Sequence, residues 1–429
     1  MSVDDTSNNP PVAASSARPV PEGPPTVEQQ LEKILRAIGP LAPYDQPIVE
    51  SLNLPLATDI VAPHDLPRFD TCIADGYAVR AADIATANPE NPVELQLMGE
   101  VTAGGATPFA LSPGATMRIA AGAPVPAGAD VIVPADLAVE GPLRVEFRQA
   151  YPSGTFIRNA AEEIKAGDVV LPTGSVIGPR EVGLIASLGL ARVSARPRPR
   201  VVIISTGSEL REPGSPLEYD SVYDGNSFML AAAVRAAGGI AYRVGTVPDN
   251  PRDFLAAVHD QLVRADMIIT TGGISRGDHD VVKKALRAAG GVDFVDVAMQ
   301  PGSQQGFGFI GEEGTPIINL PGDPVSAYVS FEIFVLPALR RLMGLVPYRR
   351  PMVHAVLAAD IASPAGRRQY VRANFEVTHR GAKVTPIGST TSYLSGSLAA
   401  ANALIVVGDD ETALNLGDTV RVLVLDRSF

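Results

Sequence analysis

The sequence predicts an α/β plus β protein of several domains: a three-layer α/β domain, a small β-domain, an extended linker domain and a C-terminal β-barrel or sandwich. Three observations carry this. A chain of 429 residues exceeds what one hydrophobic core organises, so three or four domains are expected. Between Arg200 and about Gly344, apolar β-branched runs alternate with helical patterns, as in a parallel sheet covered on both faces. Before and after that region, short strands alternate with Gly and Pro breaks, which predicts small β-domains.

Composition narrows the function. Hydrophobic residues make up 46% and charged residues 19% of the chain, the balance of a soluble globular protein. The formal net charge of −12 argues against nucleic-acid binding, which requires a basic face. It also leaves any anionic substrate to be held by local groups. Cys72 is the single cysteine, which excludes an internal disulfide and a multi-cysteine metal site. No apolar run reaches the length of a membrane span, and no signal sequence opens the chain. A cytoplasmic protein that is not integral to the membrane is expected.

Residues 1–25 are rich in Pro, Ser, Asn and Ala and read as a disordered tail. Thr26 reads as a helix N-cap with Gln29 three residues on, a capping box, and Val27, Leu31, Ile34, Leu35 and Ile38 share one helical face. Residues 26–67 and 161–199 are assigned to the extended linker domain, with Pro179 opening a helix that Gly189 ends. Residues 68–160 form the β-rich domain, with an Asp75-Gly76 turn beside Tyr77-Ala78-Val79 and strands at Val93–Met98, Thr116–Ile119, Val131–Val133 and Leu143–Phe147. The stiff Arg196-Pro197-Arg198-Pro199 leads into the α/β domain, 200–345. Its strands are placed at Val201–Ile204, Tyr242–Val247, Met267–Thr270, Val292–Met299 and Ile317–Leu320. Its helices are placed at Asn226–Ala237, through Phe254, Val258 and Leu262, at about His279–Ala289, and at Pro324–Met343. The last domain, 346–429, has five strand candidates and no strong helix.

In an open parallel sheet, ligands bind beyond the carboxyl ends of the strands, and three turns fall there. Ser205-Thr206-Gly207-Ser208-Glu209 offers hydroxyls, a free backbone N–H and a carboxylate. Thr271 to Asp280 places Gly272, Gly273 and Ser275 between a strand and a helix start, a natural anion seat. Leu320-Pro321-Gly322-Asp323-Pro324-Val325-Ser326 does the same. Asn226 reads as an N-cap, and Asp249 as either a cap before Pro251 or a metal ligand. Glu209, Asp249 and Asp280 are hard oxygen ligands that suit Mg²⁺ beside a phosphate. No His/Cys cluster suggests zinc, and no Walker or dinucleotide loop is present.

Taken together, the segments Leu66–Arg80, Arg118–Pro126, Glu162–Val170, Ser205–Glu209, Thr270–Asp280 and Leu320–Ser326 resemble the MoeA proteins, the molybdopterin molybdenumtransferases, and the E domain of gephyrin. The resemblance runs from Thr26 nearly to the end. The TTGGxSxGxxD turn is shared with other molybdopterin-binding domains, whereas Asp-Gly-Tyr-Ala combined with LPGDPVSA is specific. The resemblance implies a four-domain homodimer in which 26–67 and 161–199 dimerise and 200–345 binds molybdopterin. The implied reaction inserts molybdate into adenylylated molybdopterin and releases AMP with the help of Mg²⁺. It implies catalytic roles for Asp75, supplied by the second subunit, and for Glu209, Asp249 and Asp280, the last three also as metal ligands. Thr206, Gly207, Asn226, Thr271, Gly272, Gly273, Ser275, Arg276, Gly277, Pro321, Gly322 and Asp323 fall at substrate-binding positions. Ser326, Arg372 and Ser392 fall where the family holds molybdate.

The chain departs from the family at specific places. Two lysines expected after the signature helix are Asp296 and Gln300, and a third is Ser303. The expected Thr of RIxTGAPVP is Ala121, the Met before Asp75 is Ala74, and Ala161-Glu162-Glu163 stands for Gly-Glu-Asp. Each lost charged hydrogen bond to an anion costs roughly 1.5–3 kcal/mol. Arg276, inside the glycine turn, is the first candidate to compensate, and Lys283 the next. Two readings follow: a working molybdenumtransferase with a retuned anion site, or a gephyrin-like scaffold that keeps the dimer and binds a protein partner, a membrane receptor tail or a cytoskeletal protein. The retained Asp75, Glu209, Asp249 and Asp280 favour the first; the missing basic residues favour the second.

Overall fold

The computed structural model describes residues 23–105, 110–275, 280–379 and 381–426. The tail assigned to 1–25 therefore lies outside the described residues up to 22. The chain divides into two compact units, 42–196 and the segment up to Leu41 together with 197 onward. The boundary falls inside the Arg196–Pro199 linker.

The 42–196 unit holds a six-stranded sheet in the order Val131–Pro134, Gly76–Val79, Ala115–Ile119, Val93–Val101, Arg144–Phe147, Ala138–Glu140. Alternation decides its two faces. Tyr77 and Val79 pack with Leu95, Val133 and Phe147 on one side, while Ala78 packs with Val101, Met117 and Ile132 on the other. Gly76 sits where nothing larger fits, since a Cβ there would lie 2.1 Å from the Val133 carbonyl oxygen. A further core joins Leu54, Leu56 and Ile60 to Ile177, Ile185 and Val193, whereas residues up to Leu41, assigned to the same linker domain from the sequence, fall in the other unit.

In the other unit, the helix Val27–Ala37 starts with the predicted capping box: Thr26 Oγ1 accepts from the Gln29 N–H at 3.2 Å and Gln29 Oε1 from the Thr26 N–H at 2.8 Å. Its apolar face, with Leu31 and Ile34 each 1% exposed, packs on Leu336 and Leu339. Burying each such side chain is worth roughly 1.5–3 kcal/mol.

The central sheet runs in the order Ile240–Val247, Arg200–Thr206, Met267–Thr271, Thr315–Leu320, Gln304–Ile310, Val292–Asp296. The first four strands are mutually parallel, and Gln304–Ile310 runs antiparallel to both of its neighbours. Val201, Ile203, Met267 and Ile269 face one core, and Val202, Ile204 and Ile268 the other, so both faces are covered. The predicted strand Val292–Met299 is corrected. It ends at Asp296, and Met299–Gln300 pairs instead with Arg368–Gln369. The predicted helix Pro324–Met343 is continuous but contains a π-helical turn at Phe331–Val335.

The C-terminal domain is a closed five-stranded barrel. Arg368–Thr378 pairs with Gly381–Pro386 and with Ala403–Val407, and Met352–Leu357 and Thr419–Val424 complete the ring. One short helix, Ser395–Ala399, interrupts its loops; it has too few residues to leave a periodic signal in the sequence.

Candidate functional site

The three predicted turns meet at the carboxyl ends of the parallel strands and line one cavity of about 1010 Å³. Thr206, Gly207, Glu209, Asn226, Asp249, Thr271, Gly272, Gly273, Ser275, Asp280, Pro321, Gly322 and Asp323 all face it. Arg276 and Gly277 lie outside the described residues. The glycine pair is demanded by geometry. Gly272 and Gly273 have φ of +93° and +65°, and a Cβ would sit 2.6 Å from the Thr206 carbonyl oxygen in the first case and 2.7 Å from Val282 in the second.

Each turn is fixed by its neighbours. Ser208 and Asp249 clasp one another: the Ser208 N–H donates to Asp249 Oδ2 at 3.2 Å and the Asp249 N–H to Ser208 Oγ at 3.1 Å. The helix cap before Pro251 is Asn250, whose side chain accepts from the Arg252 N–H, so Asp249 is released from capping and lines the cavity. The Glu209 carboxylate folds over Gly207; a Cβ there would lie 2.7 Å from both its oxygens. Asp280 is 7% exposed, and its Oδ1 accepts from Ser275 Oγ at 2.9 Å. Its Oδ2, like the hydroxyl of Thr206, is buried with no hydrogen-bond partner among the described residues.

Asn226 is corrected. It does not cap its helix; its amide donates to Thr271 Oγ1 at 3.1 Å and to the Gly322 carbonyl at 2.6 Å, tying two turns together. The capping is done by Asp224, 1% exposed, which accepts from the Ser227 N–H, from Ser227 Oγ and from Ser205 Oγ. Arg243 holds Ser227 Oγ at 2.8 Å from beyond. Asp224 followed three residues on by Ser227 is the signal from which this could have been read.

A smaller cavity, about 360 Å³, adjoins the first through Gln304, Pro321 and Asp323. Ser326 and Ser392 line it with Gln300, Ser303, Thr390 and Thr391. Ser392 Oγ donates to Asp323 Oδ2 at 2.7 Å, which closes the 389–392 segment onto the Leu320–Ser326 turn. Arg372 lines neither cavity: its guanidinium donates to the carbonyls of Thr391, at 2.9 Å, and Ser389, and so holds that segment from behind. Burial pulls the Arg372 pKa down. Gln305, not singled out in the sequence, gives its amide to the Gly302 carbonyl and Ser330 Oγ and so braces Gly302, which lines the smaller cavity.

Of the substituted lysine positions, Gln300 and Ser303 line the smaller cavity and Asp296 does not. The Asp296 carboxylate lies 3.9 Å from Arg367. Lys283 Nζ lies 3.4 Å from the Ser275 carbonyl oxygen. Asp75 belongs to the 42–196 unit, is exposed, and accepts from the Ala121 N–H at 2.7 Å through Oδ1.

Comparison with known proteins matches three family descriptions along the chain: the MoeA N-terminal region (domain I and II) at 25–189, a probable molybdopterin binding domain at 202–341, and the MoeA C-terminal region (domain IV) at 354–425. Molybdopterin molybdenumtransferase 2 of Mycobacterium tuberculosis is 42% identical over 403 residues, covering 92% of this chain and 98% of the relative. Molybdopterin molybdenumtransferase 1 of the same organism is 35% identical over 424 residues, covering 93% and 99%. The crystal structure of a molybdopterin biosynthesis MoeA protein from Pyrococcus horikoshii superposes with a TM-score of 0.83 at 26% identity, covering 94% and 99% of the two chains.

Proposed function

The chain belongs to the MoeA family, and from that premise we propose that it acts in molybdenum cofactor biosynthesis as a molybdopterin molybdenumtransferase, inserting molybdate into adenylylated molybdopterin with release of AMP. The observation that carries the reading is the pair of adjoining cavities. One is a large cleft lined by a glycine turn, hydroxyls and carboxylates; the other is a small pocket ringed by hydroxyls. A phosphate-bearing substrate beside a tetrahedral oxyanion needs such a pair.

The larger cavity is lined by Glu209, Asp224, Asp249, Asp280, Asp323 and Asp426, and by no Lys, Arg or His among the described residues. A phosphate held there requires a counter-cation. The residues fit Mg²⁺: Asp280 brings a buried oxygen with no hydrogen-bond partner among the described residues, and Glu209 and Asp249 share the same lining. No three such ligands converge on one point among the described residues, which suits an ion that binds through one or two carboxylates, substrate oxygens and waters. When bound, Mg²⁺ neutralises the charge that develops on the departing AMP. The chain's own part is to hold the pyrophosphate by the N–H groups of the glycine turn and the Thr206 and Thr271 hydroxyls. Ser326 and Ser392 receive molybdate, and Arg372 fixes the loop that presents Ser392. We further propose a cytoplasmic homodimer in which Asp75 serves the partner's site. The protein-binding scaffold alternative gains no observation of its own among the described residues.

The test is direct. Purified protein with adenylylated molybdopterin, molybdate and Mg²⁺ is expected to release AMP; release no faster than from the Asp280→Ala variant would sink the proposal.

A further inference from the structure

The chemistry above uses the three turns that line the larger cavity. Another part of the lining differs in kind. There Tyr328, Leu398 and Leu425 form an apolar wall, flanked by Ala399 and Ala401, with the Asp426 carboxylate beside them. None of these belongs to the three turns. They come from the helix after Asp323, the short helix Ser395–Ala399 and the segment just beyond the last barrel strand. An anion seat has no use for such a wall.

We infer that this part of the lining is a ring-binding subsite, in which Tyr328, Leu398 and Leu425 pack against the flat heterocycle of the substrate and Asp426 accepts hydrogen bonds from its amino edge. The inference rests on reading the cavity as the molybdopterin-nucleotide site and assigns the pterin, not the adenine, to this wall. A 2-amino-4-oxo pterin edge offers two parallel N–H donors, which one carboxylate takes together. Adenine presents a single amino group at its corresponding edge.

Tyr328 is built to stay where it is. Its ring stacks on Phe331, with centroids 6.4 Å apart and planes at 23°. Its hydroxyl is bonded to Glu332, whose buried carboxylate takes Arg350 Nε at 2.8 Å. The π-helical turn begins at Phe331, one residue before Glu332, a deviation that recurs at functional sites. Burial first, then the Glu332 charge, pushes the Tyr328 phenol far above its ordinary pKa. It therefore keeps its proton and donates a hydrogen bond to Glu332. This removes Tyr328 from acid–base chemistry and leaves the ring itself as its contribution. A wall held in place before binding loses little entropy when the ligand arrives.

The experiment is calorimetric titration of the full-length protein, with Mg²⁺, against 6-hydroxymethylpterin, AMP and ribose 5-phosphate. Tyr328→Ala is expected to weaken the pterin by about tenfold or more, as loss of one stacking face does, and to leave ribose 5-phosphate within about twofold. Tyr328→Phe, which keeps the ring, is expected to bind all three as the wild type does. Asp426→Asn is expected to weaken the pterin more than AMP. If Tyr328→Ala does not fold, Leu398→Ala carries the same comparison. Loss of AMP but not of the pterin overturns the assignment to the pterin. Unchanged binding of both rings overturns the subsite and leaves the proposed function standing. Failure of the wild type to bind either ring ligand removes the reading of the cavity itself, and the subsite with it.

Discussion

Asp280 brings the demands of the site into one side chain. One oxygen is committed to Ser275 and the other is buried without a hydrogen-bond partner among the described residues. Asp280→Asn keeps the shape and removes the charge. It is expected to slow single-turnover AMP release by about 10²-fold or more, the scale of the charge stabilisation a bound metal supplies, while the urea midpoint stays near that of the wild type. The smaller cavity makes the opposite experiment available. Among the described residues its lining has six that bear a hydroxyl, Ser303, Ser326, Thr390, Thr391, Ser392 and Tyr393, and no cation. Gln300→Lys places one charged donor there and is expected to lower the KM for molybdate by roughly 10–100-fold, following the 1.5–3 kcal/mol of a charged hydrogen bond. That gain should shrink as ionic strength rises. An unchanged KM would place molybdate elsewhere. The turn residues were legible in the sequence because glycines at strand ends leave few other roles. Tyr328, Leu398 and Leu425 were not, because positions so far apart in the chain converge only once the barrel has closed.

At the scale of elements, the Val27–Ala37 helix was readable at both levels, capping box and apolar face. Its electrostatic anchor was not, since Arg368 is 340 positions from Glu28. Arg368 donates to Glu28 and also lies 3.3 Å from Asp409. Burial raises the Glu28 pKa, but the hydrogen bond from Arg368 and the nearby positive charge outweigh it, so the folded value lies below the ordinary 4.5. The stability this pairing contributes is therefore present above pH 4.5 and is lost as pH falls through the folded pKa. Glu28→Gln is expected to flatten that acid-side loss, which urea titrations across the window would detect; an identical pH profile would show the pair to be idle. Leu31→Ala, at the centre of the buried face, is expected to cost about 2–5 kcal/mol in the same assay. Other elements escaped the sequence for physical reasons. The apolar pattern at 292–299 continues past Asp296 because Val297 and Met299 are buried too, but in the core that the barrel strand shares.

For the whole molecule, the proposed catalytic set is divided between the two compact units. Asp75 lies on the strand-and-turn surface of 42–196, whereas Glu209, Asp249 and Asp280 line the cavity of the other unit. The Arg-Pro repeat at 196–199 announced that division in the sequence; which subunit's Asp75 serves which cavity is a matter of assembly that no single-chain pattern encodes. The proposed homodimer turns this into a complementation experiment. Asp75→Ala and Asp280→Ala homodimers are each expected to be nearly inactive. In a two-fold dimer of mixed protomers, one site receives both substitutions and the other receives neither. Random co-assembly makes half the dimers mixed, so about one quarter of wild-type AMP release should return on co-expression. If Asp75 instead acts within its own subunit, every site of a mixed dimer carries one lesion and no activity returns. The measurement thus decides between a shared and a private site without requiring either variant to be partly active.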